Sequence, residues 1–462
     1  MLRCVADAPR QRLHCLKTVR GRGCSYVSPA IVLLVKVYGS GYDEDAQTAE
    51  GDILITVDEK RLWDSVMDMA RIGQTANGGS CRLTLTEDDV AGRRLFMQWC
   101  EEAGCQVYTD EVGNIFARRP GTDSGAAPVL CGSHLDTQPL GGRFDGVYGV
   151  LAGLEVLRTF NARGIATRRP VEVVAWTNEE GSRFTPGILG SSVYAGRADL
   201  AFARARPCLK TGVTLGEELD RTGFANTPRF RDRPVAYYEA HIEQGPVLEQ
   251  AAVPLGVVTG VQGLHEYDVT LTGFESHAGT TPMKIRRDAL ACAAGIIAAL
   301  AELGRQSGDD TRLTVGYIAC RPNSPSTIPG SVAFSIDLRH PDIRQLDTLA
   351  EQVAGICRER AKMENIALDF APVATYEPIQ FSPACVDRVR QASAALGFSS
   401  LDMCSGAGHD AVNLSYVAPS AMIFVPCRNG LSHNEAEYAE SRHLAQGASV
   451  LANVLLVEAD SA

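Results

Sequence analysis

The sequence lacks any surplus of positive charge: 44 lysines and arginines stand against 55 aspartates and glutamates, for a net charge of −11. No basic face is evident that could neutralise phosphates, which argues against a nucleic-acid partner. Long apolar runs are missing too. The longest falls far short of the roughly eighteen residues a membrane helix needs, so no membrane partner is expected. The fourteen cysteines are scattered and form no Cys-x-x-Cys pair. Cys131, Cys292, Cys320 and Cys357 sit in apolar runs and read as small core residues in a reducing cytosol. There is no internal repeat and no low-complexity segment. What remains is an ordinary globular composition, 45% hydrophobic and 21% charged, in a chain of 462 residues. That length is too great for one core, and the expectation is a soluble, cytoplasmic protein of two domains.

Residues 1–58 do not match the rest. Up to Ser40 they are basic with one acid, Asp7, and Tyr42-Asp43-Glu44-Asp45 follows. Such a stretch reads as a poorly packed extension or an over-long reading frame, with a targeting segment as the alternative. The folded body begins near Asp58, with Leu62, Val66, Met69 and Ile72 at helical spacing. Thr86-Glu87-Asp88-Asp89 predicts a capped helix start, and Leu95, Phe96 and Trp99 share that helix's face until Gly104. Gln106–Tyr108 and Asn114–Ala117 flank a hairpin signal.

Two apolar strands carry the argument. Val171 to Trp176 runs into Glu179-Glu180-Gly181, and Val129 to Gly132 runs into Ser133-His134-Leu135-Asp136. A helix over 147–160 lies between them, so strand, helix and strand form a parallel βαβ unit. A Glu-Glu pair alone is usually a solvated surface feature. Two strands that both end in potential ligands look instead like the carboxyl edge of an α/β sheet, where such folds place their sites. A further short strand reaches His241, and the last buried strand, Ala421 to Val425, leads to Ser432-His433-Asn434. Between these a strand-rich stretch from about 254 to 368, with helices over 288–303 and 343–362, forms an inserted α+β domain. The chain therefore divides as 1–58, 59–253, 254–368 and 369–462.

The candidate metal ligands are His134, Asp145, Glu180, His241 and His433. Each histidine taken alone is more often satisfied or exposed than a ligand; their shared position at strand ends is what singles them out. Asp136, two residues from His134, is placed to hold that imidazole in orientation. Imidazole and carboxylate without thiolate suit zinc, manganese, cobalt or nickel.

The segments GSHLDT, GGRFDG, TNEEGSRF, HIEQGP, SHAGTTPM, SGAGHDA and LSHNEAE occur in the order used by the hydantoinase/carbamoylase branch of the M20 metallo-amidohydrolases. The resemblance runs from about residue 60 to the end. It implies an α/β di-metal catalytic domain, its mixed sheet flanked by helices, with an inserted smaller α+β lid that also makes a homodimer. It implies two divalent ions per subunit, zinc first, with His134 and Glu180 on separate ions and Asp145 bridging. His241 and His433 then complete the two shells. The peptidase branch generally has an acid where His241 stands, which favours a carbamoylase. By the same resemblance Glu179 moves the water proton, His277 steadies the oxyanion across the dimer, and Arg339 clamps the substrate carboxylate. Gln244 contacts the ureido group. Unaided, His277 reads as a turn residue, and Arg339 and Gln244 as solvated side chains. Many relatives carry Asn where this chain has Ser326, before Thr327-Ile328-Pro329-Gly330; Asn323 stands close by and could substitute.

The expected reaction is hydrolysis of an N-carbamoyl-L-amino acid or N-carbamoyl-β-alanine to amino acid, ammonia and carbon dioxide. Allantoate or ureidoglycolate hydrolysis is the alternative, and an M20 aminoacylase or peptidase comes third. A catalytically dead binding protein on this fold would need a lost ligand or base, and none is lost.

Overall fold

The structure, a computed structural model, describes residues 54–461 apart from 209 and 231. The basic and acidic stretches read before residue 54 lie outside the described residues. Ile55 is fully buried. Its N–H donates to Asn453 Oδ1 (3.1 Å) and its carbonyl accepts from Asn453 Nδ2 (2.8 Å). The last residues of the expected extension are thus laid against the C-terminal helix Ser441–Asp460.

The strands run β1 Gln106–Thr109, β2 Ile115–Arg119, β3 Val129–His134, β4 Val171–Trp176, β5 Ala236–Ile242 and β6 Leu255–Val261. Next come β7 Gly263–Thr272, β8 Ser276–His277, β9 Arg312–Thr314, β10 Ile318–Arg321, β11 Thr327–Ile328, β12 Ser331–His340 and β13 Ala367–Tyr376. The chain closes with β14 Ile379–Gln380, β15 Ser400–Ser405 and β16 Ser420–Val425. A nine-stranded mixed sheet has the order β1-β2-β4-β3-β5-β16-β6-β14, with β15 also on β6. In its middle, β4, β3, β5 and β16 are mutually parallel. Every residue of these four strands is buried, which is why they read as continuous apolar runs. Their carboxyl ends all lie along one edge.

Helix Val147–Ala162 joins β3 to β4 and packs on β3 and β5. The contact is close because Gly149 has no side chain: a Cβ there would stand 2.3 Å from the Ala240 carbonyl oxygen. Helix Ser441–Asp460 packs against this helix in turn, and Glu59–Ala70 against both.

A second, antiparallel sheet has the order β10-β12-β7-β13, with β9 on β12. Burial alternates strictly along β12, the pattern of a sheet covered on one face only. Helices Ala289–Gln306 and Ile343–Met363 cover that face. They enclose a separate core that includes Val269, Ile296, Phe334 and Val353. The molecule is thus an α/β mixed sheet flanked by helices plus a smaller α+β unit.

Two strands fall on the other side of the expected divide. β6, read as the start of the insertion, pairs with β16, β15 and β14 in the large sheet. β13, most of which falls in the expected 369–462 part, pairs with β7 along its length. The second sheet's strands therefore run from 263 to 376 rather than 254 to 368. Only Gln262 separates β6 from β7, and apolar content cannot reveal which sheet a strand joins; its pairing partner decides.

One helix among the described residues, Ala289–Gln306, is long and apolar enough to cross a membrane. Its apolar run is interrupted by Glu302 and Arg305, so the expectation about uninterrupted runs concerns a shorter stretch. Cys292, Ala293, Ile296 and Leu300 of that helix are buried in the second core.

Candidate active site

Parallel β3 and β5 end in histidines. His134 is the last residue of β3 and His241 the penultimate residue of β5. Glu179 and Glu180 follow β4 by three and four residues, and His433 lies in the loop after β16. Asp145 precedes helix Val147–Ala162, next to Gly146 at φ +66°. A Cβ on Gly146 would stand 2.3 Å from the His134 ring, so this turn needs glycine for both its conformation and its space.

These five side chains converge. One ligand atom each from His134, Asp145 and His241 lie within 4.8 Å of one another, and so do those from Asp145, Glu180 and His433. Asp145 belongs to both groups, with its two oxygens divided between them. Its Oδ1 is 3.2 Å from His241 Nε2 and 3.8 Å from His134 Nε2, while Oδ2 is 3.2 Å from His433 Nε2. Glu180 Oε2 is 3.4 Å from His433 Nε2. The far ring nitrogens are occupied by backbone: His134 Nδ1 is 2.8 Å from the Asp136 carbonyl and His241 Nδ1 is 2.9 Å from the Ile242 carbonyl. That fixes each ring with Nε2 turned to the cluster.

The free acid sits on the rim: Glu179 Oε2 is 3.5 Å from His134 Nε2. Asp136 acts differently from the expectation. Its carbonyl orients His134, whereas its carboxylate is 3.9 Å from Nδ1. The carboxylate instead accepts the N–H groups of Glu179 and Glu180, each at 3.3 Å, and the Thr84 hydroxyl at 2.9 Å. Asp136 therefore holds the turn that presents both acids.

The electrostatics show what the cluster is short of. Burial, and then the charge of Asp145, lifts the Glu180 carboxyl to about 8. Burial, and then Asp410, pushes Glu179 well above the carboxylate range. Burial opposes charge on Asp145 as well, yet the imidazoles of His241 and His433 hold it well below its ordinary value. His433 rises to about 9 through its hydrogen bond to Asp145, and His241 reaches about 9 because Asp145 outweighs burial. Burial brings His134 down to about 4. Among the described residues no lysine or arginine pairs with Asp145, Glu179 or Glu180. Buried carboxylates without a fixed cation beside nitrogen donors are a fitting site for divalent metal.

The remaining expected residues fall into two sets. Gln244 reaches the cluster, donating from Nε2 to Asp145 Oδ2 (2.9 Å) and Ser432 Oγ (3.0 Å). Arg339 lies on the open face of the second sheet, bonded twice to Asp337 (2.9 Å each) and once to the Gly406 carbonyl (2.9 Å). Gln244 and Arg339 both line a cavity of about 740 Å³, along with Phe424, Met403 and Gly406. His277, Asn323 and Ser326 are elsewhere. His277 pairs with Thr327 in the β8–β11 ribbon, is exposed, and accepts through Nδ1 from Gly279 (2.9 Å) and Thr280 (3.2 Å). Asn323 and Ser326 are exposed beside it. Among the described residues no hydrogen bond or ion pair joins these three to the cluster.

Sequence reasoning missed His409, Glu239 and Glu437. The His409 ring stands 4.6 Å from that of His241 and its Nε2 is 2.9 Å from Ser405 Oγ. Glu239 accepts from Ser133 (2.7 Å), Tyr237 (3.0 Å) and the Ala411 N–H (2.9 Å) behind His241. His409 lies in the segment SGAGHDA and Glu437 in LSHNEAE, and Glu239 stands two residues before HIEQGP, so the signal was within reach.

Known proteins resemble this chain along most of its length. The model of peptidase family M20/M25/M40 matches residues 130–457. This chain belongs to the M20/M25/M40 family. Within it, an N-carbamoyl-L-amino-acid amidohydrolase from Rhizobium meliloti is 44% identical over 405 residues, 87% of this chain and 97% of the relative. The allantoate amidohydrolase of Bacillus subtilis is 34% identical over 397 residues, 85% and 96% of the two chains. A crystal structure of an amidase of the hydantoinase/carbamoylase family from Burkholderia multivorans superposes with a TM-score of 0.85 at 47% identity, covering 88% of this chain and 99% of that one. The M20 member described here is therefore of the hydantoinase/carbamoylase branch, and the mixed sheet with a smaller α+β unit is that fold.

Proposed function

We propose that this M20 enzyme hydrolyses the carbamoyl C–N bond of N-carbamoyl amino acids, consuming one water and releasing amino acid, ammonia and carbon dioxide. The observation that carries the reading is Asp145 shared between two ligand groups with the uncommitted acid Glu179 on their rim. His134 and His241 would hold one divalent ion, Glu180 and His433 a second, and Asp145 both. The donor set suits zinc first, with manganese, cobalt or nickel as alternatives. Such ions, when bound, polarise a ureido carbonyl and lower the pKa of water.

The chain's own residues do the rest. Glu179 takes the proton of the attacking water and hands it to the departing amine, without which the amine would leave unprotonated. Asp136 holds Glu179 and Glu180 by their N–H groups, so base and ligand keep a fixed spacing. Arg339, pre-set by Asp337, offers a planar donor edge for the substrate carboxylate. His277, Asn323 and Ser326 would reach substrate only from a second subunit or after the smaller unit moves. A homodimer through that unit is supported by its outward apolar side chains, among them Leu290, Tyr317 and Ile318. Every cysteine among the described residues is free, which supports a reducing cytosol.

The allantoate amidohydrolase relatives support the alternative of allantoate or ureidoglycolate as substrate. The test is ammonia release from purified protein reconstituted with zinc, manganese or cobalt. Substrates are N-carbamoyl-L-amino acids, N-carbamoyl-β-alanine and allantoate, with N-acetyl amino acids and dipeptides as controls. Turnover of the controls alone would overturn the reading.

A further inference from the structure

Glu437 is fully buried and its carboxylate meets no ligand side chain of the cluster, yet it ties together two segments that carry candidate ligands. Its Oε1 accepts the backbone N–H of Phe144 (2.9 Å) and of Asp145 (3.1 Å). Its Oε2 is 2.9 Å from Ser432 Oγ, the neighbour of His433. The same Ser432 oxygen lies 3.0 Å from Asp145 Oδ2. The hydroxyl has one proton, so it serves either Asp145 or Glu437. A cation on Asp145 would leave that proton to Glu437. The contact is close on the backbone side too: a Cβ on Gly142 would stand 1.9 Å from Glu437 Oε1.

The two ligand groups are not equally anchored. His134 and His241 are strand residues, held in register by β3 and β5 and the strands beside them. His433 is a loop residue at φ +52° with its side chain 52% exposed. Apart from its own ring, the loop is tied to Asp145 through Ser432, which meets the Asp145 carboxylate directly, shares the Gln244 amide with it, and reaches the Asp145 backbone through Glu437, the one anchor among these that holds main chain. The turn that places Glu437 under the loop is local, with the Glu437 N–H donating to the Asn434 carbonyl (3.0 Å).

We infer that Glu437 is a positioning residue that sets the His433 loop against Asp145 and so governs the cation held by Asp145, Glu180 and His433. The other cation, held by His134, Asp145 and His241, depends on it far less. This rests on the reading that two cations bind here.

The test is metal content and affinity rather than turnover: cobalt titration followed by elemental analysis after dialysis. Wild type should hold two ions per chain. Glu437→Ala should keep one at near wild-type affinity and bind the second about 10–100-fold more weakly, the usual effect of removing a group that orients a ligand. Glu437→Gln keeps one oxygen for the two N–H groups and an amide that can donate to Ser432 Oγ, so it should restore the second ion to within a few fold. Gly142→Ala pushes the carboxylate away with every ligand intact and should reproduce the selective loss even where Glu437→Ala folds poorly. A merely structural role would lower thermal stability and weaken both ions together, or neither, and either result overturns the inference. Wild type that takes up no divalent ion would overturn the metal reading and this inference with it. Two ions in both wild type and Glu437→Ala would overturn the inference alone.

Discussion

Glu179 and Glu180 are adjacent and chemically identical, and the tertiary structure separates their tasks by direction alone. Glu180 faces His433 at 3.4 Å and Glu179 faces His134 at 3.5 Å, without entering either ligand group. Substituting Glu179→Gln removes a proton acceptor and no ligand. The expected outcome is two retained ions and a kcat lower by about 10²–10⁴-fold, the usual worth of a general acid–base group. Metal analysis beside steady-state ammonia release checks it, and substantial residual turnover would refute the role. At this scale the convergence of the five candidate ligands was legible, because imidazoles and acids at the ends of apolar strands are uncommon enough to notice. The job of Asp136 was not. Spacing alone cannot say whether its carboxylate or its carbonyl reaches His134, since that depends on how the chain turns after β3.

Elements place these residues by close packing. Helix Val147–Ala162 starts two residues after Asp145, and Gly149 lets it settle on β5 beside the Ala240 carbonyl. Gly149→Ala would insert a methyl 2.3 Å from that oxygen and push the helix outward. We expect a loss of about 1–3 kcal/mol in denaturant unfolding, the usual cost of overpacking. Metal affinity should fall as well, because Asp145 moves with the helix start; a variant as stable as wild type would contradict the packing. The capped start at Thr86, the β1–β2 hairpin and the βαβ unit all follow from local signals and occur as expected. The assignments of β6 and β13 do not, since alternation identifies a strand but not its neighbour.

For the molecule as a whole, the buried charges predict how metal and pH act together. In the metal-free fold Glu180 holds its proton to about 8, and His241 and His433 hold theirs to about 9. In the unfolded chain these groups titrate near 4.5 and 6.5. Between pH 7 and 9 the folded state therefore binds more protons than the unfolded one, and stability must fall as pH rises. His134, brought down to about 4, and Asp145, held lower still, titrate outside that window. The melting temperature of chelator-treated protein should decline from pH 7 to 9. Divalent ions displace these protons, so added cobalt or manganese should raise the melting temperature more at pH 8.5 than at pH 7. Thermal melts across that range test it, and a pH-independent metal effect would contradict the charge balance.

The order of segments along the chain determined the family, the α/β class and the five candidate ligand positions, because each is written in local residue types and in strands that stop at polar groups. Three-dimensional packing decided that Asp145 faces both groups, that Glu437 stands behind it, and that β13 closes the smaller sheet. It also left His277, Asn323 and Ser326 apart from the cluster. Those outcomes depend on which distant segments touch, and a contact spanning nearly three hundred residues, such as Phe144 N–H to Glu437 (2.9 Å, 293 positions apart), leaves no trace in the spacing of either partner.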